Sequence, residues 1–312
     1  MRVLHLDSNH PLLIEQFDDL GFVNDQNYSS SKAEIEEIIH KYDGIIVRSR
    51  LPIDRVLLDK ALNLKFIGRL GAGLENIDVD YARGKDIFLA AAPEGNRNAV
   101  GEQCLGMILN LLQKANKADR EVRQGQWDRE GNRGEELDGK VVGIIGYGNT
   151  GKAFARKLSG FDVEVICYDI IGGVGDEYAR QVGMMEIFQK SEVLSLHVPE
   201  TSETVGMINS DYLSSFQKDI WLLNTARGKC VVTKDLVSAL RSKKVKGAAL
   251  DVLEYEKSSF ETLFDNSEMP SEFEYLINAN NVVLSPHVAG WTIESKIKLA
   301  QTVADKIRER FC

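Results

Sequence analysis

Val141-Val142-Gly143-Ile144-Ile145-Gly146-Tyr147-Gly148-Asn149-Thr150-Gly151-Lys152 is the stretch on which the fold turns. Five apolar or small residues make a buried strand, three glycines in a G-x-G-x-x-G pattern make a tight loop, and Lys152 to Leu158 continues with helical character. Gly146 permits the turn, Gly148 lets a pyrophosphate approach the backbone, and Gly151 allows the helix to pack closely on the sheet. The first amides of that helix then attract an anion. A glycine turn alone is a weak signal, but Asp169 follows Gly146 by 23 residues, at the end of the next strand. A carboxylate there accepts hydrogen bonds from ribose hydroxyls. It also repels a 2′-phosphate by up to ~4 kcal/mol at ~4 Å and an effective dielectric near 20. The reading is a dinucleotide site that takes NAD rather than NADP.

Working outward, the strand pattern recurs at Val163 to Cys167, Val193 to Leu196, Ile220 to Leu223, Gly247 to Leu250 and Val282 to Ser285, with helix-length connections. With Val141 to Ile145 these six strands suffice for a complete doubly wound dinucleotide domain. Upstream, Arg2 to Leu6, Gly44 to Val47, Lys65 to Gly68 and Ile87 to Ala90 alternate with helical stretches such as Lys32 to Tyr42 and Asp54 to Ala61. They form a smaller lobe. Apolar residues from Ala99 to Arg123 recur at three- and four-residue spacing and predict one long helix. A final helix is expected from about Thr292 to Arg310, with Ile293, Ile297, Ala300, Val303 and Ile307 on one face, and Lys257 to Ala279 reads as an acidic, irregular excursion. The fold class is α/β, with two parallel sheets.

The 312 residues carry 38 basic and 47 acidic side chains, a net charge of -9, which is the wrong sign for gathering a phosphate backbone. Nucleic acid is not an expected partner. Cys104, Cys167, Cys230 and Cys312 form no C-x-x-C pair, so neither a metal site nor a disulfide framework is expected, and a reducing cytoplasm fits. No apolar run approaches the ~18 residues of a membrane helix, and the polar amino end suggests a soluble, unprocessed chain. 

In an open parallel sheet, ligands lie beyond the carboxyl ends of the strands. That rule selects Arg227 after one strand, Asp251, Glu254 and Glu256 after the next, and His287 after the last. Spacing does not choose among the three acids. His5, His10 and His40 sit in a strand, a loop and a polar helix face of the small lobe and read as structural or solvated. His197 and His287 both follow strands of the dinucleotide domain, and position leaves them even as acid or base. The cluster Gly71-Ala72-Gly73-Leu74-Glu75-Asn76 offers either an anion nest or a plain turn.

Five segments occur in order: Gly146 to Gly151, Ser195-Leu-His-Val-Pro-Glu200, Asn224-Thr-Ala-Arg-Gly228, Ala249-Leu-Asp-Val252 and Ser285-Pro-His-Val-Ala-Gly290. Together they closely resemble the NAD-dependent D-2-hydroxyacid dehydrogenases, especially the phosphoglycerate-oxidising branch. The resemblance extends to Val47-Arg-Ser-Arg50 and Gly71 to Asp78, and so covers essentially the whole chain. It implies catalytic roles for Arg227, Glu256 and His287. The Glu256 assignment rests on the count of five residues after Asp251, and the proline usual beside that acid is Lys257 here. It implies NAD contacts by Gly146, Gly148, Asn149, Thr150, Gly151, Asp169, His197, Val198, Pro199, Thr204, Thr225, Ala226, Asp251 and Gly290, and substrate contacts by Arg48, Ser49, Arg50, Gly71, Ala72, Gly73 and Asn96. It further implies a Rossmann domain of residues 98–288, a discontinuous flavodoxin-like substrate domain of 1–97 plus 289–312, a cleft between them, and a homodimer.

The mechanism then expected is hydride loss from C2 as His287 takes the hydroxyl proton, with Glu256 fixing the imidazole and Arg227 holding the carboxylate. His197, by the same resemblance, affects binding more than chemistry. Arg48 and Arg50 make D-3-phosphoglycerate the first expectation for the 2-hydroxy/2-keto acid substrate, with serine synthesis as the role. Glyoxylate or hydroxypyruvate reduction and a D-lactate-type activity are the alternatives, and an NAD-sensing corepressor-like module is a further one. The chain stops at Cys312 directly after the closing helix, so serine feedback through a carboxyl-terminal domain is not expected.

Overall fold

The computed structural model describes residues 1–256, 263 and 269–312. The chain divides into two compact units, Met1–Arg97 with Trp291–Cys312, and Asn98–Gly290. The first holds a sheet of β1 (Arg2–His5), β2 (Val23–Gln26), β3 (Gly44–Val47), β4 (Phe66–Arg69) and β5 (Phe88–Ala91), in the order β2-β1-β3-β4-β5. All neighbours are parallel, in the flavodoxin-like order. β-Branched and aromatic residues face both sides, so each face buries its own core. Ile45, Val47, Ile67 and Leu4 pack with the helices Lys32–Ile38 and Arg55–Lys60, while Val3, Ile46, Phe66 and Ala90 meet Pro11–Asp19 and the last helix, Ile293–Phe311.

The second unit carries β6 (Val141–Ile145), β7 (Glu164–Tyr168), β8 (Arg180–Gln181), β9 (Val193–Leu196), β10 (Ile220–Asn224), β11 (Val245–Leu250) and β12 (Val282–Leu284). Their order is β8-β7-β6-β9-β10-β11-β12, again all parallel. Strand order reverses between β6 and β9, which is the switch point where such sheets bind ligands. The helix Arg97–Gln113 covers one face through Cys104, Met107, Ile108 and Leu111. The helices Met184–Lys190 and Thr233–Arg241 cover the other through Ile187, Leu236 and Leu240.

The α/β reading with two parallel sheets holds, and four details differ. Strands β2 and β8 had no strand signature, because Val23-Asn-Asp-Gln26 and Arg180-Gln181 are polar edge strands. The expected single helix from Ala99 breaks at Lys114, which takes a left-handed φ of 52°. The Asn110 carboxamide oxygen then accepts the amide of Asn116 at 2.9 Å, and the continuation Ala115–Arg123 buries none of its residues. Within the segment read as irregular, Ser271–Asn278 is a helix that buries Phe273 and Leu276, while 257–262 and 264–268 lie outside the described residues. Finally, of the five apolar residues on one face of the last helix, Ala300, Val303 and Ile307 are buried, together with Leu299 and Ala304, whereas Ile293 is 79% exposed and Ile297 39%. Among the described residues no helix is long and apolar enough to cross a membrane.

Candidate active site

The loop after β6 has the constraints of a phosphate cradle. Gly146 takes φ +88°, and a Cβ there would lie 2.6 Å from the His197 carbonyl oxygen. A Cβ on Gly151 would lie 2.3 Å from the carbonyl oxygen of Gly146. Gly148 is different: among the described residues no heavy atom stands within 4 Å of its Cβ position. Two glycines are therefore demanded by packing, and the middle one faces open space. The helix Asn149–Leu158 begins there with no side-chain cap, which leaves its dipole end available to an anion. These residues fit a dinucleotide pyrophosphate.

Asp169, at the end of β7, braces this loop. Its Oδ2 accepts the Tyr147 amide at 2.7 Å and its Oδ1 the Ile171 amide at 2.9 Å. His197, at the end of β9, lies across the switch point. Its Nε2 is 2.9 Å from the Ser195 hydroxyl and its Nδ1 3.1 Å from that of Thr150, with the ring stacked on Phe154. Burial pushes its pKa down to about 3, so the ring is neutral near pH 7. Each hydroxyl can donate or accept, and the neutral imidazole joins the helix start to β9. Thr204 closes the neighbouring turn, donating to the Pro199 carbonyl at 2.6 Å and accepting the Thr201 amide at 2.8 Å. Val198 packs close to Gly146, and Thr225 places its hydroxyl 3.1 Å from the buried Cys104 thiol, beside the buried Ala226.

The loops after β10, β11 and β12 are neighbours because those strands are. After β10, the Asn224 side chain accepts the Ala226 amide and donates to the Arg227 carbonyl, folding the loop back on itself. A Cβ on Gly228 would fall 1.9 Å from the Leu253 carbonyl oxygen, so the loops after β10 and β11 touch through main chain. Arg227, half-buried, donates from Nη1 to the Ala226 carbonyl at 2.7 Å. 

Structure separates the three acids that spacing left equal. Glu254 accepts the Thr233 amide at the start of the helix Thr233–Arg241. Asp251 is 1% exposed and ties down the loop after β12: its carboxylate accepts the amides of Val288 and Ala289 and the Ser285 hydroxyl. Glu256 accepts the Leu253 amide on Oε1 at 2.7 Å and stands with Oε2 2.8 Å from His287 Nδ1. His287 itself adopts φ 53°, a left-handed conformation that few side chains take and that clusters at functional sites. With Nδ1 donating to the carboxylate, Nε2 keeps its lone pair for a proton. An imidazole oriented by a carboxylate in this way has the geometry that acid–base chemistry requires.

In the other unit, Arg48 and Arg50 have different surroundings. Arg50 donates to three main-chain carbonyls, Leu6, Ser30 and Asn27, at 2.6 to 3.0 Å, so its fork is already engaged in joining loops. Arg48 presents its main-chain amide to Asp7 and lays its guanidinium over the Trp291 ring at 4.0 Å. Ser49 between them is half-buried. Gly71 accommodates the Arg69 guanidinium where a Cβ would sit, Ala72 and Gly73 are half-buried, and the buried Asn96 Oδ1 has no hydrogen-bond partner among the described residues. His5 is fully buried between Asn24 and Asn9, and His10 accepts the Leu12 amide at the start of Pro11–Asp19; His40 is exposed.

A family model described as D-isomer specific 2-hydroxyacid dehydrogenase, NAD binding domain, matches residues 105–289. The chain belongs to the D-isomer specific 2-hydroxyacid dehydrogenase family. It is 34% identical to a D-3-phosphoglycerate dehydrogenase of Archaeoglobus fulgidus over 89% of this chain and 51% of that protein. It is also 34% identical to a glyoxylate reductase of Thermofilum pendens over 94% of this chain and 85% of that one. Among solved structures, a D-lactate dehydrogenase from Aquifex aeolicus complexed with NAD and lactic acid superposes with a TM-score of 0.84 at 26% identity, covering 99% of this chain and 95% of that one. The chain spans about half the length of the curated D-3-phosphoglycerate dehydrogenase from Archaeoglobus fulgidus. 

Within this dehydrogenase-family domain, several residues that shape the site escaped sequence reasoning. The role of Ser195 as partner of the His197 ring was not read from its motif, and that of Glu254 depends on the Thr233 amide, 21 residues away. The Asp251 carboxylate is buried and accepts three hydrogen bonds from the His287 loop, a bracing role that its motif did not reveal. In the companion unit of this dehydrogenase-family chain, Trp291 lies one residue past a recognisable segment, and its indole stands beside Arg48. 

Proposed function

We propose that the protein transfers hydride between C2 of a D-2-hydroxy acid and NAD, with D-3-phosphoglycerate as substrate. The observation that carries this reading is the His287–Glu256 pair, Nδ1 to Oε2 2.8 Å, on the same sheet rim as the glycine loop. NAD, held by the Gly146 to Gly151 loop and by Asp169, supplies the hydride acceptor at C2. The Asp169 carboxylate would accept hydrogen bonds from the ribose hydroxyls, and its charge disfavours a 2′-phosphate. His287 Nε2 takes the C2 hydroxyl proton as the hydride departs, and Glu256 holds the resulting imidazolium. In the reducing direction the same nitrogen returns the proton. Arg227 grips the neighbouring carboxylate by its planar fork, a charge-assisted contact worth roughly 1.5 to 3 kcal/mol.

The phosphorylated substrate is supported by Arg48, whose guanidinium is stacked rather than spent on main-chain carbonyls as that of Arg50 is. Likeness to D-3-phosphoglycerate dehydrogenases supports it too, and the role then is the oxidation that opens serine synthesis. A second reading, glyoxylate reduction, is favoured by the relative from Thermofilum pendens, of which this chain covers 85%. Absorbance in the NADH band with D-3-phosphoglycerate, D-glycerate and D-lactate, and with glyoxylate, hydroxypyruvate and phosphohydroxypyruvate in reverse, tests the assignment. The phosphorylated pair is expected to give the highest kcat/KM. NADH binding without turnover of any of the six acids would instead mark a cofactor-sensing module of the kind corepressors use.

A further inference from the structure

The connection from β7 to β8 begins with residues that do little to fix it. Of Ile170 to Gly175, three are glycine, and Ile170 and Ile171 are 91% and 64% exposed, so no side chain meets a core until Val174. Glycine loses more conformational freedom on ordering than any other residue. Polar contacts hold the connection instead. The Ile171 amide donates to Asp169 Oδ1 at 2.9 Å, and the Gln181 side chain donates to the Ile171 carbonyl at 2.7 Å and accepts the Val174 amide at 2.9 Å. Asp176 closes the far end: its Oδ1 accepts the Tyr178 amide at 3.0 Å and the Tyr147 hydroxyl at 2.6 Å, and Lys152 Nζ stands 3.5 Å from its Oδ2. Burial works against the Asp176 charge, but the Tyr147 hydroxyl, the Tyr178 amide and Lys152 outweigh it and hold the carboxyl below its ordinary range. Tyr147 stands between the first two glycines of the G-x-G-x-x-G loop, and its own amide is the one that Asp169 Oδ2 accepts at 2.7 Å. One residue of the glycine loop therefore bonds to both ends of the connection. The ring is 1% exposed and belongs to the core on that face of the sheet. A bare ring would fill that space, and what the hydroxyl adds is the bond to Asp176.

We propose that the Tyr147 hydroxyl is a latch: by holding Asp176 it keeps the glycine-rich connection, and with it the Asp169 carboxylate, in one conformation ready for the adenosine half of NAD. Tyr147 is then a positioning residue for cofactor binding, acting through Asp176, Ile171 and Asp169. The inference rests on the assignment of Asp169 to the ribose given above and holds for any hydroxy acid substrate. A loop that visits its binding form only part of the time lowers the apparent affinity by that fraction, and the latch removes this loss.

The test compares the full chain with Tyr147→Phe, Asp176→Ala, the double variant of these two, and Asp169→Ala. NADH affinity is read by fluorescence titration, and the two halves of the cofactor are read separately by displacing NADH with AMP and with nicotinamide mononucleotide. Tyr147→Phe and Asp176→Ala are each expected to weaken NADH and AMP by about 5-fold, with nicotinamide mononucleotide within about twofold of the parent. The double variant is expected to lose no more than about 10-fold, since the two groups form one bond, and a loss of about 25-fold would mean independent effects and overturn the latch. If Asp169→Ala weakens NADH while Tyr147→Phe keeps NADH and AMP within about twofold of the parent, the latch is refuted and the ribose assignment stands. If Asp169→Ala leaves NADH and AMP unaltered, the ribose assignment fails and the inference falls with it. Equal weakening of AMP and nicotinamide mononucleotide by Tyr147→Phe would mark a general loss of order and refute the latch as well. Should Tyr147→Phe lose its fold, Asp176→Ala decides by the same limits.

Discussion

The main-chain oxygen of Asp251 accepts the His287 amide at 2.7 Å, and the Asp251 carboxylate accepts the amides of the two residues that follow, Val288 at 2.9 Å and Ala289 at 2.8 Å. A carboxylate almost wholly removed from water thus shapes the left-handed turn that carries the imidazole. Such a group is kept buried only when its acceptors are fully used.

Replacing Asp251 should therefore act on both stability and chemistry. Asp251→Ala strands one buried amide, one half-buried amide and a hydroxyl at about 1 to 3 kcal/mol each, and the loop is expected to relax away from φ 53°. We expect a loss of about 3 kcal/mol in urea unfolding and a fall in kcat of about 10- to 100-fold, with Asp251→Asn intermediate because it keeps one acceptor. An Asp251→Ala protein with the parent's unfolding midpoint would contradict this account of the loop.

Gly228 tests how the neighbouring loops fix Arg227. A methyl group there would sit 1.9 Å from the Leu253 carbonyl oxygen, a main-chain atom that cannot rotate aside. Gly228→Ala must displace one of the loops, at a cost of about 1 to 3 kcal/mol. The expected kinetic signature is a raised KM for the hydroxy acid together with a lowered kcat, since both Arg227 and the Glu256 segment move. Steady-state kinetics on Gly228→Ala alongside a surface Gly→Ala control such as Gly172→Ala check it.

His197 gives the protein an acid-sensitive joint. Its pKa is down at about 3 in the fold because of burial, against about 6.5 in an unfolded chain. Below pH 6.5 the unfolded state binds a proton that the native state refuses until about pH 3, so stability is complete above pH 6.5 and falls as the pH drops through that window. The slope is up to about 1.4 kcal/mol per pH unit, or about 2 kcal/mol between pH 6.5 and 5. His5, buried and likewise shifted down by desolvation, acts in the same sense. His197→Gln, compared with the parent by urea unfolding at pH 7.5 and 5, is expected to lose about 2 kcal/mol of that pH dependence. An identical pH dependence in both would remove His197 from the acid response.

Asp169 is expected to set the preference between dinucleotides. Its charge repels a 2′-phosphate by up to about 4 kcal/mol, so the parent should favour NAD over NADP by more than 100-fold in kcat/KM. Asp169→Ala removes the repulsion but also the acceptor of the Tyr147 amide, so kcat/KM with NAD should drop while that with NADP rises by about 10-fold. Initial rates with both cofactors measure the two changes together. A variant whose NADP activity stays at the parent's level would place the discrimination elsewhere.

Much of this architecture was legible because the strands are nearly continuous apolar runs and the glycine loop obeys steric rules that leave few substitutes. Gly146 and Gly151 are demanded by contacts of 2.6 and 2.3 Å, which is why that pattern reads reliably. The edge strands β2 and β8 were not legible, since edge positions tolerate polar side chains and leave no periodic trace. Nor was the break at Lys114, where the apolar spacing continues through a left-handed residue and is settled by a side chain six residues from its partner. In the site, position selected Arg227, three acids and two histidines, the family resemblance pointed to Glu256 and His287, and the three-dimensional pairing sets Glu256 apart from Glu254 and Asp251. A hydrogen bond between residues 31 apart carries no local signal. The stacking of Trp291 on Arg48 lies in the same category, as it joins residues far apart in sequence.

The central claim is that His287 carries the proton at C2, and His287→Gln measures it most directly. Turnover of D-3-phosphoglycerate is followed by NADH absorbance, and NADH binding by fluorescence titration of the same preparation. The account predicts a fall in kcat of about 1,000-fold with NADH affinity within twofold of the parent. A His287→Gln enzyme that turns over within tenfold of the parent while binding NADH equally well would contradict it.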